Sequence, residues 1–305
     1  MYFSDPGPYK VLLKRGEFVD YARGGRVVPF KIYYPDIQGI PVKTEGHVKV
    51  PTILWSHGFG GSRDGASFIS RYLASYGYNL VHITHDGTDS SLWEGKPGHP
   101  WDILRKAEVS RETTLNRFYD VPFVLDQLLR WAAENPEAGA HMDLSRLGMS
   151  GHSFGAMTTQ VMAGQMFPDA QGALISLKEP RFKAGILYSP VPIAHLTDEA
   201  EHKIYGPIDI PLLHMTGTED SSPLHDFGYE ARLAVHVHSG AAEKYLQVLE
   251  GGDHMVYAGS RGKLGANPLR DEHEAQIKMA ALAFWDAQLK DDEAARAWME
   301  KLRVW

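Results

Sequence analysis

The 305-residue chain is 43% hydrophobic and 23% charged, a globular composition that excludes disordered and fibrous classes. Its 31 Lys+Arg against 38 Asp+Glu leave a net charge of −7, and no basic cluster offers a face to a polyanion, so a nucleic-acid partner is not expected. There is no cysteine, which removes disulfides, thiolate metal sites and a thiol nucleophile from consideration.

No apolar run approaches the roughly 18 residues of a membrane span, and no membrane partner is expected. The start, "MYFSDPGPYK", lacks the charged and apolar regions of a signal peptide, so the chain as written reads as cytoplasmic; a leader removed before Met1 would change that reading. No linker or repeat interrupts the sequence, and a single domain over 1–305 is expected.

In chain order, "YKVLLKRGEFVDYARGGRVVPFKIYYP" contains three Val-, Ile- and Tyr-rich runs separated by Gly-containing turns, and reads as an antiparallel meander at a sheet edge. "PTILWSHG" reads as a buried central strand, "GASFISRYLASYG" as a helix stopped by glycine, and "YNLVHITHDG" as the next strand. After a Gly-, Pro- and Trp-containing stretch comes a long amphipathic helix, "TTLNRFYDVPFVLDQLLRWAAENP", with Pro122 inside and Pro136 closing it. "LSRLGMS" is a strand running into a helical "AMTTQVMAGQM"; "FKAGILYS", "IPLLHMTG" and "KYLQVLEG" are three later strands, and "DEHEAQIKMAALAFWDAQL" is the closing helix. Strands alternating with helices predict an α/β fold: a mainly parallel sheet with an antiparallel N-terminal edge and helices on both faces. The chemistry of such sheets lies beyond the carboxyl ends of the strands.

At one such end stands Gly151-His152-Ser153-Phe154-Gly155. G-x-S-x-G between a strand and a helix is the signature of a sharp elbow that exposes a strained serine above the sheet. The helix start behind it also favours negative charge developing there. Without chemistry, the same five residues would be a tight turn with packing glycines. A serine nucleophile needs a base, and the base an orienting acid; behind a G-x-S-x-G elbow of this kind they follow in the chain order Ser, Asp/Glu, His.

Asp220, three residues past Gly217 behind "PLLHMTG", is the chosen acid, with Glu219 and Asp226 in reserve; its structural alternative is a helix cap. His254, on the loop after the last predicted strand behind Gly251 and Gly252, is the base. The oxyanion hole is assigned to the backbone amides of Phe154 and of Phe59 in "HGFGG". His152 is expected to point away from the chemistry. Gly58, Trp93 and Tyr188 are expected to touch substrate, within loops that also carry Trp101, His85, His195 and His225; residues 87–114 and 190–209 could form partial lids. Arg117 and Asp120 are expected to pair with each other, without a catalytic role. Val235-His236-Val237-His238 reads as strand-like, with no third metal ligand in view, and neither metal nor cofactor is expected.

These residues resemble the α/β-hydrolase superfamily along nearly the whole chain. "SHGFGGSRDG", "HDGTDSS", "NRFYDVPFVLDQL" and "GHSFGAMTT" are similar to bacterial serine esterases grouped with dienelactone hydrolases and platelet-activating-factor acetylhydrolases. The resemblance implies a serine carboxylesterase that acts on a small-molecule ester through Ser153, Asp220 and His254. Two departures limit it: dienelactone hydrolase proper uses a cysteine nucleophile, and the acetylhydrolases place their acid after the strand where this chain reads "ILYSPVPI". Similarity to polyester hydrolases is looser, since those carry Met and Trp where this chain has Phe154 and Tyr188-Ser189. A non-catalytic receptor of the same fold, or an acyltransferase or polyester hydrolase using the same triad, is the alternative. The sequence does not fix oligomeric state.

Overall fold

The structure is a computed structural model that describes residues 2–37, 48–259 and 266–303. The rest of the expected 1–305 domain span lies outside the described residues. In chain order the elements are β1 (Val11–Asp20), β2 (Arg26–Pro35), β3 (Val50–Ser56), α1 (Ser67–Ser75), β4 (Asn79–Ile83), α2 (Pro100–Leu104), α3 (Arg111–Glu134), α4 (Pro136–Gly139), β5 (Met142–His152) and α5 (Phe154–Ala163). There follow a small ribbon of β6 (Phe167–Pro168) and β7 (Leu174–Ile175), then β8 (Phe182–Tyr188), α6 (Glu201–Tyr205), β9 (Leu212–Glu219), α7 (Tyr229–His238), β10 (Lys244–Asp253), α8 (Arg270–Leu289) and α9 (Glu293–Met299).

Eight strands form one sheet in the order β1-β2-β4-β3-β5-β8-β9-β10. The β1–β2 and β2–β4 pairs are antiparallel and every later pair is parallel. The expected three-run edge is in fact two strands, because "YKVLLKR" and "EFVDYAR" join through Gly16. That glycine lies opposite Phe30, whose ring occupies the space a Cβ would need, so it serves packing and not a turn.

Alternate residues of the central strands feed two separate cores, as the period of two requires. Leu54, Met149 and Leu187 pack on one face beneath α3 and α5; Ile53, Trp55, Ile186 and Met215 pack on the other beneath α1 and α8. With both faces covered, the central strands β3 and β4 are buried along their whole length. The long helix begins at Arg111, capped by the Ser110 hydroxyl accepting from Thr113 N–H, and carries Pro122 as expected. Pro136 ends it and also starts α4.

One expected element is of the wrong type. Val235–His238 is the end of α7, not a strand. Two valines among histidines suggest a strand by propensity, and burial of the Arg232/Val235/His236 face overrides it. On a helix, residues two apart diverge: His236 turns inward to His214, while His238 meets Glu201 at 2.9 Å. Among the described residues no group of three or more His, Asp or Glu is arranged to hold a metal ion, and no helix is long and apolar enough to cross a membrane.

Candidate active site

The chain reverses from β5 into α5 at Ser153, whose backbone sits at φ 56°, ψ −117°, a conformation rarely open to a residue with a side chain. The turn is held from outside: Ser153 N–H donates to the Tyr188 carbonyl at 2.9 Å, and the Ser153 carbonyl accepts from Met157 N–H at 3.0 Å. The flanking glycines are required by contact. A Cβ on Gly151 would strike the backbone of Gly155, and one on Gly155 would strike the Ser56 carbonyl. Ser153 makes no side-chain cap to its helix, so its hydroxyl is left for the adjoining cavity.

The β9 end delivers Asp220, which is fully buried. Both carboxylate oxygens are saturated. Oδ1 accepts from His254 Nδ1 at 2.7 Å and meets Arg232 Nη2 at 3.1 Å; Oδ2 accepts from the hydroxyls of Ser189 at 2.7 Å and Thr216 at 2.9 Å. Burial alone would raise its pKa, but His254, Arg232 and Ser189 together pull it down to about 2. Glu219 and Asp226, the reserve acids, are exposed and outside this cluster. His254 lines the same cavity as Ser153. Because its Nδ1–H is given to Asp220, Nε2 is the ring nitrogen left to accept a proton.

Arg232 went unnoticed in the sequence. It is 1% exposed and lies behind the acid: Nε donates to the Asp220 carbonyl at 3.0 Å, Nη1 to the Pro190 carbonyl at 2.9 Å, and Nη2 stands 3.2 Å from His254 Nδ1. Phe227 stacks on it, with the guanidinium carbon 5.0 Å from the ring centroid. The available signal was a charged residue on the apolar stripe of a short amphipathic helix, with Val235 and His236 at the following turn. Ser189 also went unread. It takes φ 56° at the end of β8, and nothing in "ILYSPVPI" announces that its hydroxyl reaches the acid.

On the other side, the loop after β3 carries His57–Gly61. Among the described residues the Phe59 N–H has no hydrogen-bond acceptor, and Phe154 N–H, at the first position of α5, has none within its helix. Phe59 and Ser153 line one cavity. The loop is clamped by Gly61 N–H donating to the Gly58 carbonyl at 3.0 Å, Gly60 N–H to the Thr88 carbonyl at 2.9 Å, and Trp93 Nε1 to the Gly60 carbonyl at 2.7 Å.

Beneath this loop, Arg117 is fully buried and donates to the His57 carbonyl, Ser56 Oγ, Thr88 Oγ1 and Thr158 Oγ1. The expected Arg117–Asp120 pair is not formed directly. Asp120 instead takes a two-pronged contact from Arg26 at 2.7 and 2.8 Å, Arg23 at 2.9 Å and His85 Nδ1 at 3.0 Å. The physical reason is reach: on α3, Arg117 points its fork toward the loop carbonyl and Asp120 toward the β2 edge. Burial draws Arg117 down to about 9 and, with Arg117 opposing charge, His85 down to about 4. His57 is held neutral by burial and Arg117; its Nε2 accepts from His85 N–H at 3.0 Å, so Nδ1 donates to the Gly58 carbonyl at 2.7 Å.

Gly58, Trp93 and Trp101 line the cavity, and His195 and His225 line a neighbouring one. Tyr188 does not. It is 1% exposed, packed between Trp55 and Tyr257 at 5.3 and 5.7 Å between ring centroids, and serves the elbow only through its carbonyl. β8 is buried on both faces from Ala184 to Tyr188, so its sequence could not say which way Tyr188 turned. His85 likewise belongs to the buried network and not to the cavity. His152 does not point away: its Nε2 donates to the His254 carbonyl at 2.8 Å, the two rings are 4.6 Å apart, and burial and His254 hold it neutral with a pKa near about 3.

No family model matches the sequence, and no curated protein matches it. Solved structures do. A ferulic acid esterase from Streptomyces cinnamoneus superposes with a TM-score of 0.62 at 18% identity, covering 94% of this chain and 93% of its own. A cold-adapted esterase from an Arctic intertidal metagenomic library gives 0.57 at 16% identity, covering 95% and 100%. The fold is that of the α/β-hydrolases. In that fold the strand ends that carry Ser153, Asp220 and His254 are the customary place for a ligand.

Proposed function

We propose that the protein is a serine carboxylesterase of the dienelactone hydrolase-like and acetylhydrolase-like group, working on small-molecule esters without a metal or cofactor. The observation that carries this reading is the strained Ser153 elbow opening into the cavity also lined by His254, whose Nδ1 is bound to the buried Asp220. The two structural neighbours named as esterases support it.

In this reading Ser153 Oγ attacks the ester carbonyl carbon while its proton passes to His254 Nε2. The amides of Phe59 and Phe154 hold the developing oxyanion. The bond to the alcohol oxygen then breaks as His254 returns the proton to that oxygen, leaving an acyl group on Ser153. Water, deprotonated by His254, attacks the acyl carbon; the bond to Ser153 Oγ then breaks as His254 returns the proton to that oxygen, which releases the acid and restores the serine. Asp220 keeps the imidazole in the required tautomer and supports its positive form, and Ser189, Thr216 and Arg232 keep Asp220 ionised and fixed. Ser153→Ala is expected to abolish turnover of a short-chain p-nitrophenyl ester while the circular dichroism spectrum stays unchanged. Turnover retained by that folded variant rejects the assignment.

A further inference from the structure

Two cavities open onto Ser153. One, of about 210 Å³, is bounded by Trp93, Trp101, His254, Met255 and Ala258. The other, of about 390 Å³, is bounded by Phe154, Met157, Val191 and Ile193, with Ala107 and Val109 on its outer wall. Phe59, Leu104, Pro223 and Leu224 border both and form the partition between them. Resting on the esterase reading, we propose that the larger cavity receives the acyl group and the smaller one the alcohol, so that the preferred substrate is an ester of a bulky apolar carboxylic acid with a small alcohol.

The direction follows from proton transfer. An alkoxide leaving Ser153's tetrahedral intermediate must take its proton from His254, and a proton donor has to lie within hydrogen-bond reach of the oxygen it serves. His254 lines the smaller cavity and is not on the wall of the larger. The alcohol therefore leaves through the smaller cavity. The acyl group, the other substituent of the same carbon, extends past Phe154 into the larger one.

Size and wall chemistry set the class. Cavities that enclose most of a drug-sized ligand measure roughly 300–1,000 Å³; the acyl side falls inside this range and the alcohol side below it. Phe154, Met157, Val191 and Ile193 give the acyl cavity an apolar stretch of wall along which a hydrocarbon chain displaces no hydrogen-bonding side chain; Thr114, Ser222 and Arg232 also line it, the Arg232 guanidinium being occupied by Asp220 and the Asp220 and Pro190 carbonyls. Arg105, His195 and His225 are exposed and stand where that cavity meets water.

The test uses two ester series and two variants of the full chain. Along methyl esters from acetyl to 4-phenylbutanoyl, kcat/KM is expected to rise at least about tenfold, the order that a few methylenes in a fitted pocket provide. Along acetates from methyl to benzyl it is expected to stay level or fall. Ala107→Trp, at a half-buried loop position on the larger cavity, should remove the preference for long acyl groups and slow hydrolysis of the 4-phenylbutanoyl-enzyme far more than that of the acetyl-enzyme. Ala258→Trp, on the smaller cavity, should slow acylation by bulkier alcohols while the deacylation rate for a shared acyl group is unchanged. The opposite pattern, with Ala258→Trp changing acyl selectivity and Ala107→Trp changing alcohol selectivity, overturns the assignment. Mass spectrometry of the trapped intermediate separates the two levels: an acyl adduct on Ser153 with reversed selectivities refutes only the cavity assignment, whereas no adduct in the parent protein refutes the esterase reading beneath it.

Discussion

Two buried arginines lie beneath the loops around Ser153, and the contrast between them shows how one end of the sheet supports two kinds of task. Arg117, from α3, spends its fork on a loop carbonyl and three hydroxyls, with its nearest carboxylate, Asp120, taken up by Arg23, Arg26 and His85. Arg232, from α7, sits directly on Asp220 and beside His254. The first network is closed on itself and sets the shape of the glycine loop. The second ends on an imidazole that faces the cavity. Buried cations are costly unless paired or hydrogen-bonded on every side, and each network meets that demand, the second with His254 on the wall of the cavity that Ser153 also lines.

The sharpest way to probe the second network is Asp220→Asn. An amide there presents the wrong hydrogen-bonding face to His254 Nδ1, and the expected loss in kcat is about 10⁴-fold, read on a p-nitrophenyl ester with the fold checked by circular dichroism. A loss below tenfold would move the acid elsewhere. Replacing each arginine by methionine then separates the two regions. Arg117→Met releases the His57 carbonyl and with it the Phe59 amide, and is expected to lower kcat by about 10²-fold, the order of one lost oxyanion donor. Arg232→Met leaves Asp220 still held by Ser189 and Thr216, and is expected to lower kcat by about tenfold. The reverse ranking would break the comparison.

The smallest effect is on stability. His57, His82, His85, His152 and His214 are buried with pKa values pulled below the ordinary 6.5, burial being the leading cause in each. Their unfolded forms take up protons first as pH falls, so the folded state loses stability from pH 6.5 downward, by up to about 1.4 kcal/mol per imidazole per pH unit. Asp120 and Asp220, held low at about 2, add their loss only below pH 4. Melting temperature should therefore decline between pH 6.5 and 5. A curve that stays flat until pH 4 would mean that these imidazoles are not held neutral by the fold.

Much of this architecture was legible because glycine and strand order leave unambiguous marks. The spacing of Gly151 and Gly155 reports a contact with Ser56 that no side chain permits, and Asp220 and His254 each follow a strand in the required order. What stayed hidden depends on direction within buried elements. From Ala184 to Tyr188 every residue of β8 is apolar or small, so alternation could not separate inward Tyr188 from a cavity residue. Arg117, Asp120 and Arg232 lie on apolar helix stripes, where their presence signals a buried network without naming its partners. His152 was misjudged because adjacency to the serine says nothing about the side of the sheet on which the next loop, with His254, folds over it.

Ser153 is the one hydroxyl that this arrangement is proposed to make nucleophilic. The most direct test is labelling with a fluorophosphonate followed by peptide mass spectrometry. One equivalent of adduct on Ser153, lost in Ser153→Ala and strongly slowed in His254→Ala, is the predicted result; an unlabelled Ser153, or an adduct on a different residue, would contradict it.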